Sequence, residues 1–153
     1  MLSESAYAIA TFSSALWFAA AFRYFSFQQK AAAKVLVPKS ARQSPLFDTV
    51  AALARFLGGM NAALALLSAL LLVIWLSDAE FFTAPAERLM LLSVLGAAHL
   101  SQFAFNLPVL SAGERQGEAL WNVLSGPMGF IFRMDAAQAA ICLIAATIQI
   151  AAI

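Results

Sequence analysis

The chain has 153 residues, of which 63% are hydrophobic and 11% charged, with a formal net charge of +1 and a mean hydropathy of +0.84. Soluble domains carry about 25% charged residues, so this composition predicts an integral membrane protein. The near-neutral charge and the lack of a dense Lys/Arg cluster argue against nucleic acid as a partner. The single cysteine, Cys142, excludes an intrachain disulfide or a cysteine-based metal cluster.

The hydrophobic residues fall into four long runs. A transmembrane helix needs about 20 predominantly apolar residues, and this length is met at about residues 6–25, 50–76, 88–110 and 128–153. The segments between them contain turn residues and are too short for a soluble domain. The sequence therefore predicts an all-α fold, a four-helix transmembrane bundle, with residues 1–153 forming a single integral membrane domain.

The charges of the connecting segments predict the orientation. Basic residues near span ends face the cytoplasm, and the first connection is rich in them: Arg23, Lys30, Lys34, Lys39 and Arg42. The second connection has Arg88 against three acids, Asp78, Glu80 and Glu87, and the amino-terminal tail has no basic residue. We expect a multi-pass protein with both termini on the non-cytoplasmic side and a first span that is not a cleaved signal peptide. Which membrane it occupies stays open.

The third connection allows two interpretations. Leu120, Trp121 and Leu124 could form the apolar edge of a short interfacial helix, with Trp121 at headgroup depth. Alternatively, the segment is an irregular loop anchored by the tryptophan.

Polar side chains recur along the spans at helical spacing. At 100° per residue they form stripes, which are Arg88, Leu92, His99, Gln102 and Asn106 on the third span, Asp135, Gln138, Cys142 and Gln149 on the fourth, and Tyr7, Thr11 and Ser14 on the first. Because the lipid core offers no hydrogen-bond partners, we expect these stripes to face the bundle interior.

Depth places Arg55, Asn106, Asp135 and Gln138 in the cytoplasmic half of the bundle. A lone charge there would cost roughly 2.5–3.5 kcal/mol on insertion scales, so the sequence predicts an ion pair between Arg55 and Asp135. Arg133 points to the other side of its helix and is expected to reach the headgroups.

His99, Gln102 and Asn106 allow two interpretations. They could hydrogen-bond neighbouring helices, an interaction worth about 0.6 kcal/mol each, or they could contact a ligand or partner. Close helix packing is predicted at the small residues Ala54, Gly58, Gly59 and Ala63, and helix bridging at Asn61 and Ser68.

Catalytic sequence motifs are absent. There is no G-x-S-x-G, H-E-x-x-H, C-x-x-C, P-loop or dinucleotide fingerprint, so no catalytic residue, metal site or cofactor is predicted. A haem or pigment bound through His99 stays open, with its other axial ligand supplied by a different residue or by a partner.

Two segments, "ARFLGGMNAALALLSAL" and "GAAHLSQF", resemble the four-helix endoplasmic-reticulum scaffold family of ergosterol biosynthesis. The family has Ala-Arg-x-Phe-Gly at the start of its second helix, matched here by Ala54, Arg55, Phe56 and Gly58 with the phenylalanine shifted by one. It has Gly-His and then Ser and Glu on its third helix, matched by Gly96, His99, Ser101 and Gln102, where the amide replaces the acid. The resemblance implies a non-catalytic protein that tethers membrane-bound biosynthetic enzymes.

Three functions follow from these observations. The leading one is a non-catalytic scaffold or accessory subunit of a membrane complex, whose partners are membrane lipids, other membrane proteins or further copies of the chain. The alternative is a small membrane enzyme or redox subunit that binds a lipophilic substrate or cofactor near His99. A transporter-like oligomer is disfavoured because paired broken helices are missing.

Overall fold

A computed structural model describes residues 1–77, 79–116 and 120–153 of the chain. In these ranges the helices are Leu2–Phe27 (α1), Gln29–Leu36 (α2), Leu46–Leu76 (α3), Pro85–Gln116 (α4) and Gly126–Ile150 (α5), with a 3-10 turn at Lys39–Ala41. The helices α1, α3, α4 and α5 are long and apolar enough to cross a membrane. The predicted four-helix transmembrane bundle is confirmed, and the chain has the architecture of a multi-pass membrane protein.

Helix α4 extends beyond its predicted end. It continues through Pro108 to Gln116, because one proline removes a single backbone donor and the polar segment that follows still forms helical hydrogen bonds. Residues 117–119 of the predicted interfacial helix lie outside the described residues. Leu120, Trp121 and Leu124 are in irregular structure, so the described part of this connection agrees with the loop interpretation.

The first connection contains the short helix α2, which was not predicted from the sequence. Ala32 and Ala33 are buried, whereas Lys30 and Lys34 are exposed, so α2 is amphipathic and packs on α3. Its carboxyl end is held by Arg42, whose guanidinium donates to the carbonyls of residues 34 and 37 at 2.6 and 3.1 Å. A cation at this end of a helix is favourable because the free carbonyls carry negative partial charge.

Helix α1 is the central element of the bundle. It packs along α3 on one side and against α5 and α4 on another, while α4 packs along α5. One hydrophobic core joins Tyr7, Ala10 and Phe18 of α1 to residues of all three other spans, namely Leu71, Leu92, Leu95, Cys142, Ala145 and Ala146. Both termini lie at one end of the bundle, because the four spans alternate in direction.

The small residues of α3 are divided between two faces. Ala54 and Gly58 are buried at the contact with neighbouring helices, but Gly59 and Ala63 are exposed, so the prediction was right for two of the four.

The predicted helix bridges at Asn61 and Ser68 were wrong. Each side chain donates to the carbonyl four residues earlier in its own helix, at 2.7 and 2.9 Å, since a local acceptor is always within reach in a helix.

Gly58 permits the close approach of α3 to the end of α1, and this contact can be tested. A Cβ at Gly58 would lie against Ser26, 2.9 Å from its backbone nitrogen, whereas a Cβ at Gly59 would meet no atom within 4 Å. Gly58→Ala is expected to lower the free energy of unfolding by about 1–3 kcal/mol through overpacking. Gly59→Ala, the matched control, should be neutral or slightly stabilising. Thermal unfolding in mild detergent measures both, and equal midpoints would contradict the close contact.

Candidate functional site

The polar stripes of α1, α4 and α5 are buried along most of their length. Tyr7, Thr11, Ser14, Arg88, His99, Asp135, Gln138, Cys142 and Gln149 are all among the buried residues. The burial of α4 ends at His99, because none of residues 100–113 is buried. The predicted stripe of α4 therefore divides into an inner part that includes His99 and an outer part that includes Gln102 and Asn106.

His99 is enclosed by α1. Its Nε2 lies 3.1 Å from Ser14 Oγ, and its ring stacks on Phe18 with a centroid distance of 4.3 Å and an interplanar angle of 9°. Ser14 Oγ also lies 3.7 Å from the sulfur of Cys142. Imidazole, hydroxyl, thiol and phenyl ring thus form one packed layer across three helices.

Asp135 of α5 lies next to this layer, on the Nδ1 side of His99, and is also fully buried. Its Oδ1 accepts a hydrogen bond from the indole Nε1 of Trp17 at 2.8 Å and lies 3.9 Å from His99 Nδ1. That second separation is too long for a hydrogen bond. Among the described residues, neither Asp135 Oδ2 nor His99 Nδ1 has a hydrogen-bond partner, so the Trp17 contact is the one hydrogen bond that this carboxyl group has there.

The predicted ion pair between Arg55 and Asp135 was wrong. Arg55 is exposed, and its Nη2 lies 2.8 Å from the carboxamide oxygen of Gln29 when that amide is oriented to satisfy both its ends. Asp135 is level with Trp17, which lies 10 residues, or about 15 Å along α1, before the end of that helix at Phe27, whereas Gln29 lies beyond that end. Helix α3 begins before the predicted span and packs on α1 and α2. Arg55 and Asp135 therefore lie at different depths in the bundle, although they are at similar distances from the ends of their predicted spans.

Gln138 joins α5 to α1 by two hydrogen bonds. Its Oε1 accepts from Ser13 Oγ at 2.9 Å, and its Nε2 donates to the Ser13 carbonyl oxygen at 3.4 Å. Gln149 repeats this contact nearer the termini, where its Nε2 donates to the carbonyl oxygen of Ser3 at 2.7 Å. Both amides act as interhelical contacts of the kind expected in lipid.

Asn106 does not share a site with His99. Its Nδ2 donates to the Gln102 carbonyl oxygen in its own helix at 2.8 Å, and its Oδ1 accepts from the indole Nε1 of Trp121 at 2.9 Å. Asn106 therefore attaches the third connection to α4.

Gln102 lines a partly open cavity of about 300 Å³ between α1, α4 and the start of α5. The other lining side chains are apolar or aromatic, and include Trp17, Tyr24, Phe130 and Ile131. The Gln102 carboxamide makes no hydrogen bond within the part of the chain that the structure describes.

Trp17 and Phe18 were missed at the sequence level. Both looked like ordinary apolar residues of the first span. The signal was available for Trp17, because an indole N–H in lipid requires an acceptor and Asp135 is a strong one. No comparable signal exists for Phe18, whose stacking on His99 depends on tertiary packing.

Ser14, His99 and Asp135 are placed in space like the side chains of a serine hydrolase triad, with the hydroxyl beside one ring nitrogen of His99 and the carboxylate on the side of the other. The geometry departs from that template because Asp135 makes no hydrogen bond to His99 Nδ1, 3.9 Å away, and in two further respects. The backbone N–H groups beside Ser14 belong to the interior of α1, so they are unavailable as oxyanion donors, and all three side chains have no exposed surface. The described residues also contain no group of three His, Cys, Asp or Glu side chains placed to hold a metal ion. The arrangement is suited to holding helices together.

Comparisons of the chain with protein-family models, curated proteins and solved structures give no match. The resemblance to the ergosterol scaffold family therefore stays a prediction.

The hydrogen bond between Trp17 and Asp135 should stabilise the bundle. Trp17→Phe leaves a buried carboxyl without its donor and is expected to lower the free energy of unfolding by about 1–3 kcal/mol. Trp121→Phe is the matched control, because it breaks an equal indole–oxygen bond to the half-buried Asn106, where water can replace the donor. Its cost should be smaller.

The double variant Trp17→Phe/Asp135→Leu should recover part of the loss, because it also removes the stranded acceptor. Chemical unfolding in detergent measures all three variants. Equal losses in Trp17→Phe and Trp121→Phe would contradict the structural role of the buried pair.

Proposed function

We propose that this protein is a non-catalytic scaffold or accessory subunit of a membrane complex. It holds a partner membrane protein by accepting one of that protein's transmembrane helices at the cavity beside Gln102. The observation that carries the proposal is the Gln102 carboxamide, which faces an apolar, membrane-side cavity without a partner among the described residues.

The chemically reactive side chains support a non-catalytic role. Ser14, His99, Asp135 and Cys142 are fully buried and contact one another or the aromatic residues around them. A substrate would have to separate α1 from α4 and α5 before it reached any of them. The same enclosure makes His99 a poor site for a haem or a pigment.

Gln102 differs from the other polar residues on the membrane-facing surface of α4 and α5. Gln102 is half-buried, whereas Ser93, Ser101 and Thr147 are exposed, and each of the three hydroxyls donates to a carbonyl of its own helix at 2.8–2.9 Å. Those contacts remove the need for an external partner. An amide that lacks one can be satisfied across a helix–helix interface, the principal polar contribution to helix association in lipid.

The shape of the cavity fits a helix more closely than a flat contact. It is partly open and lined by rings, with Trp17 and Phe130 in edge-to-face contact at 5.7 Å. Its volume of about 300 Å³ suits one or two large side chains of a partner helix, with a hydroxyl or amide among them to bond Gln102. A lipid chain could fill the space but would leave the amide unsatisfied.

The resemblance described above bears on the partner's identity. If it reflects ancestry, the partners are enzymes of lipid or sterol biosynthesis, and the protein tethers them to each other. Gln102 stands where that family has an acid, so the partner contact proposed here is a neutral hydrogen bond.

Site-specific photo-crosslinking tests the proposal. A photoreactive residue at Phe130, which lines the cavity, should give a recurring adduct with one integral membrane protein, and the same residue at Leu66 on α3 should not. In a Gln102→Leu background the yield should fall by about threefold or more, as expected for loss of an interhelical hydrogen bond of about 0.6 kcal/mol or more. Ser101→Ala, the matched control, should leave the yield unchanged.

Three outcomes would overturn the proposal. Equal protein adducts at Phe130 and Leu66 would indicate nonspecific contact, and lipid adducts alone would indicate a lipid-binding cavity. Adducts at twice the mass of the chain would assign the cavity to a second copy of this protein.

We also propose that the end of the bundle with both termini is non-cytoplasmic, because the basic residues concentrate at the opposite end, in the first connection. A membrane-impermeant maleimide added outside intact cells should label Ser3→Cys and leave Ser40→Cys unlabelled until the membrane is opened. The native Cys142 is buried, so the unmodified protein is the control. If Ser40→Cys alone were labelled from outside, the orientation would be the opposite of the one proposed.

A further inference from the structure

Arg88 is a buried cation at the end of the bundle that contains the termini. Only 7% of its surface is exposed. Its Nε donates to the Phe82 carbonyl oxygen at 2.9 Å, and its guanidinium carbon lies 5.3 Å from the centroid of the Tyr7 ring. Among the described residues no carboxylate lies within ion-pairing distance of it. A buried guanidinium usually pairs with an anion, since an unpaired charge is costly in a medium of low dielectric.

The guanidinium lines a cavity of about 340 Å³ formed by the start of α1, the end of α3 and the connection to α4. A second polar group in the same wall also has an unused hydrogen-bond donor. The Tyr7 hydroxyl is buried, in a residue that is 2% exposed; the Thr11 side chain, one turn further along α1, lies beside it, but neither hydroxyl makes a hydrogen bond of normal geometry in the described chain. The N–H groups of Arg88 other than Nε, together with the Tyr7 hydroxyl, therefore have no acceptor among the described residues, and an oxyanion in the cavity would satisfy them.

The remaining lining residues narrow the chemistry of the ligand. Trp75, Phe81 and Phe82 supply apolar surface, and Glu4 supplies a carboxylate. The Glu4 side chain is 55% exposed and only loosely paired with the terminal amine, at 3.9 Å. A ligand that fits all of these groups has an anionic part, a cationic part and an apolar part.

We infer that this cavity binds the headgroup of a phospholipid that carries a primary amine. The phosphate bonds the Arg88 guanidinium, whose planar fork matches phosphate oxygens, and accepts a second hydrogen bond from the Tyr7 hydroxyl. The ammonium group pairs with Glu4, and the glycerol and acyl chains follow the aromatic residues into the bilayer. The cavity is located where the apolar part of the spans ends, the level at which headgroups lie. The inference is independent of the partner contact proposed at Gln102, which lies toward the opposite end of the bundle.

Native mass spectrometry of the protein in mild detergent tests this site. Phosphatidylethanolamine, phosphatidylcholine and phosphatidylglycerol are titrated separately, and the ethanolamine lipid should be retained most strongly. Arg88→Gln and Tyr7→Phe should each weaken that retention by about tenfold or more, the loss expected when a charge-assisted hydrogen bond is removed. Glu4→Gln should abolish the preference over phosphatidylglycerol while binding persists.

The controls separate the alternatives. Arg133→Gln removes an exposed arginine near the start of α5, at the end of the bundle opposite to the proposed site, and should leave lipid retention unchanged. Soluble phosphoethanolamine, if it binds as tightly as the lipid, would assign the site to a small water-soluble ligand. Unchanged lipid retention in Arg88→Gln or in Tyr7→Phe would overturn the inference. If the Arg88→Gln protein does not fold, the result for Tyr7→Phe alone is decisive.

Asp78, outside the described residues, provides a further check. If Asp78→Asn destabilises the protein as much as Arg88→Gln and leaves lipid retention unchanged, an internal carboxylate neutralises the arginine and the proposed site is refuted. Retained stability in Asp78→Asn, with lipid retention still dependent on Arg88, supports the lipid phosphate as the counter-ion.

Discussion

The bundle depends on the rule that a polar group placed in lipid must find its hydrogen-bond partner within the protein. Helix α1 meets most of this requirement. Within two turns, Ser13, Ser14 and Trp17 contact an amide and a carboxyl group of α5 and the imidazole of α4. The apolar surfaces of these helices provide little driving force for association in the membrane, because lipid tails are as apolar as leucine. The polar contacts of α1 therefore specify which helices are neighbours.

Much of the fold could be predicted because length and periodicity are local properties. The four spans and the buried stripe of Asp135, Gln138 and Cys142 follow from counting and from the helical repeat. The neighbours of each helix could not be predicted in that way. Arg55 and Asp135 lie at similar distances from their helix starts, yet α3 and α5 are separated by α1 and differ in depth. Such differences in depth between helices result from tertiary packing, which produces no periodic pattern in a single sequence.

The candidate site shows the same division. His99 was identified from its rarity in an apolar segment, but its partners were found only in the fold. The stripe of α4 suggested that Gln102 and Asn106 share its surroundings, and they do not, because neighbouring helices bury α4 completely only as far as His99. Residues on the same face of one helix can thus have different roles. Gln102, which lies on the half-buried part of α4, is the residue that an additional helix could still satisfy.

The long sequence separation of the α1–α5 contacts has a consequence for biogenesis. Ser13, Ser14 and Trp17 are bonded to residues that follow them by 118 to 128 positions. During synthesis, α1 enters the bilayer well before the helix that satisfies it has been made. Its polar face must then be shielded for most of translation, by water at the translocation channel or by an assembly factor. Closure of the bundle is therefore a late event, and a chain stalled before α5 would leave that face of α1 without its partners.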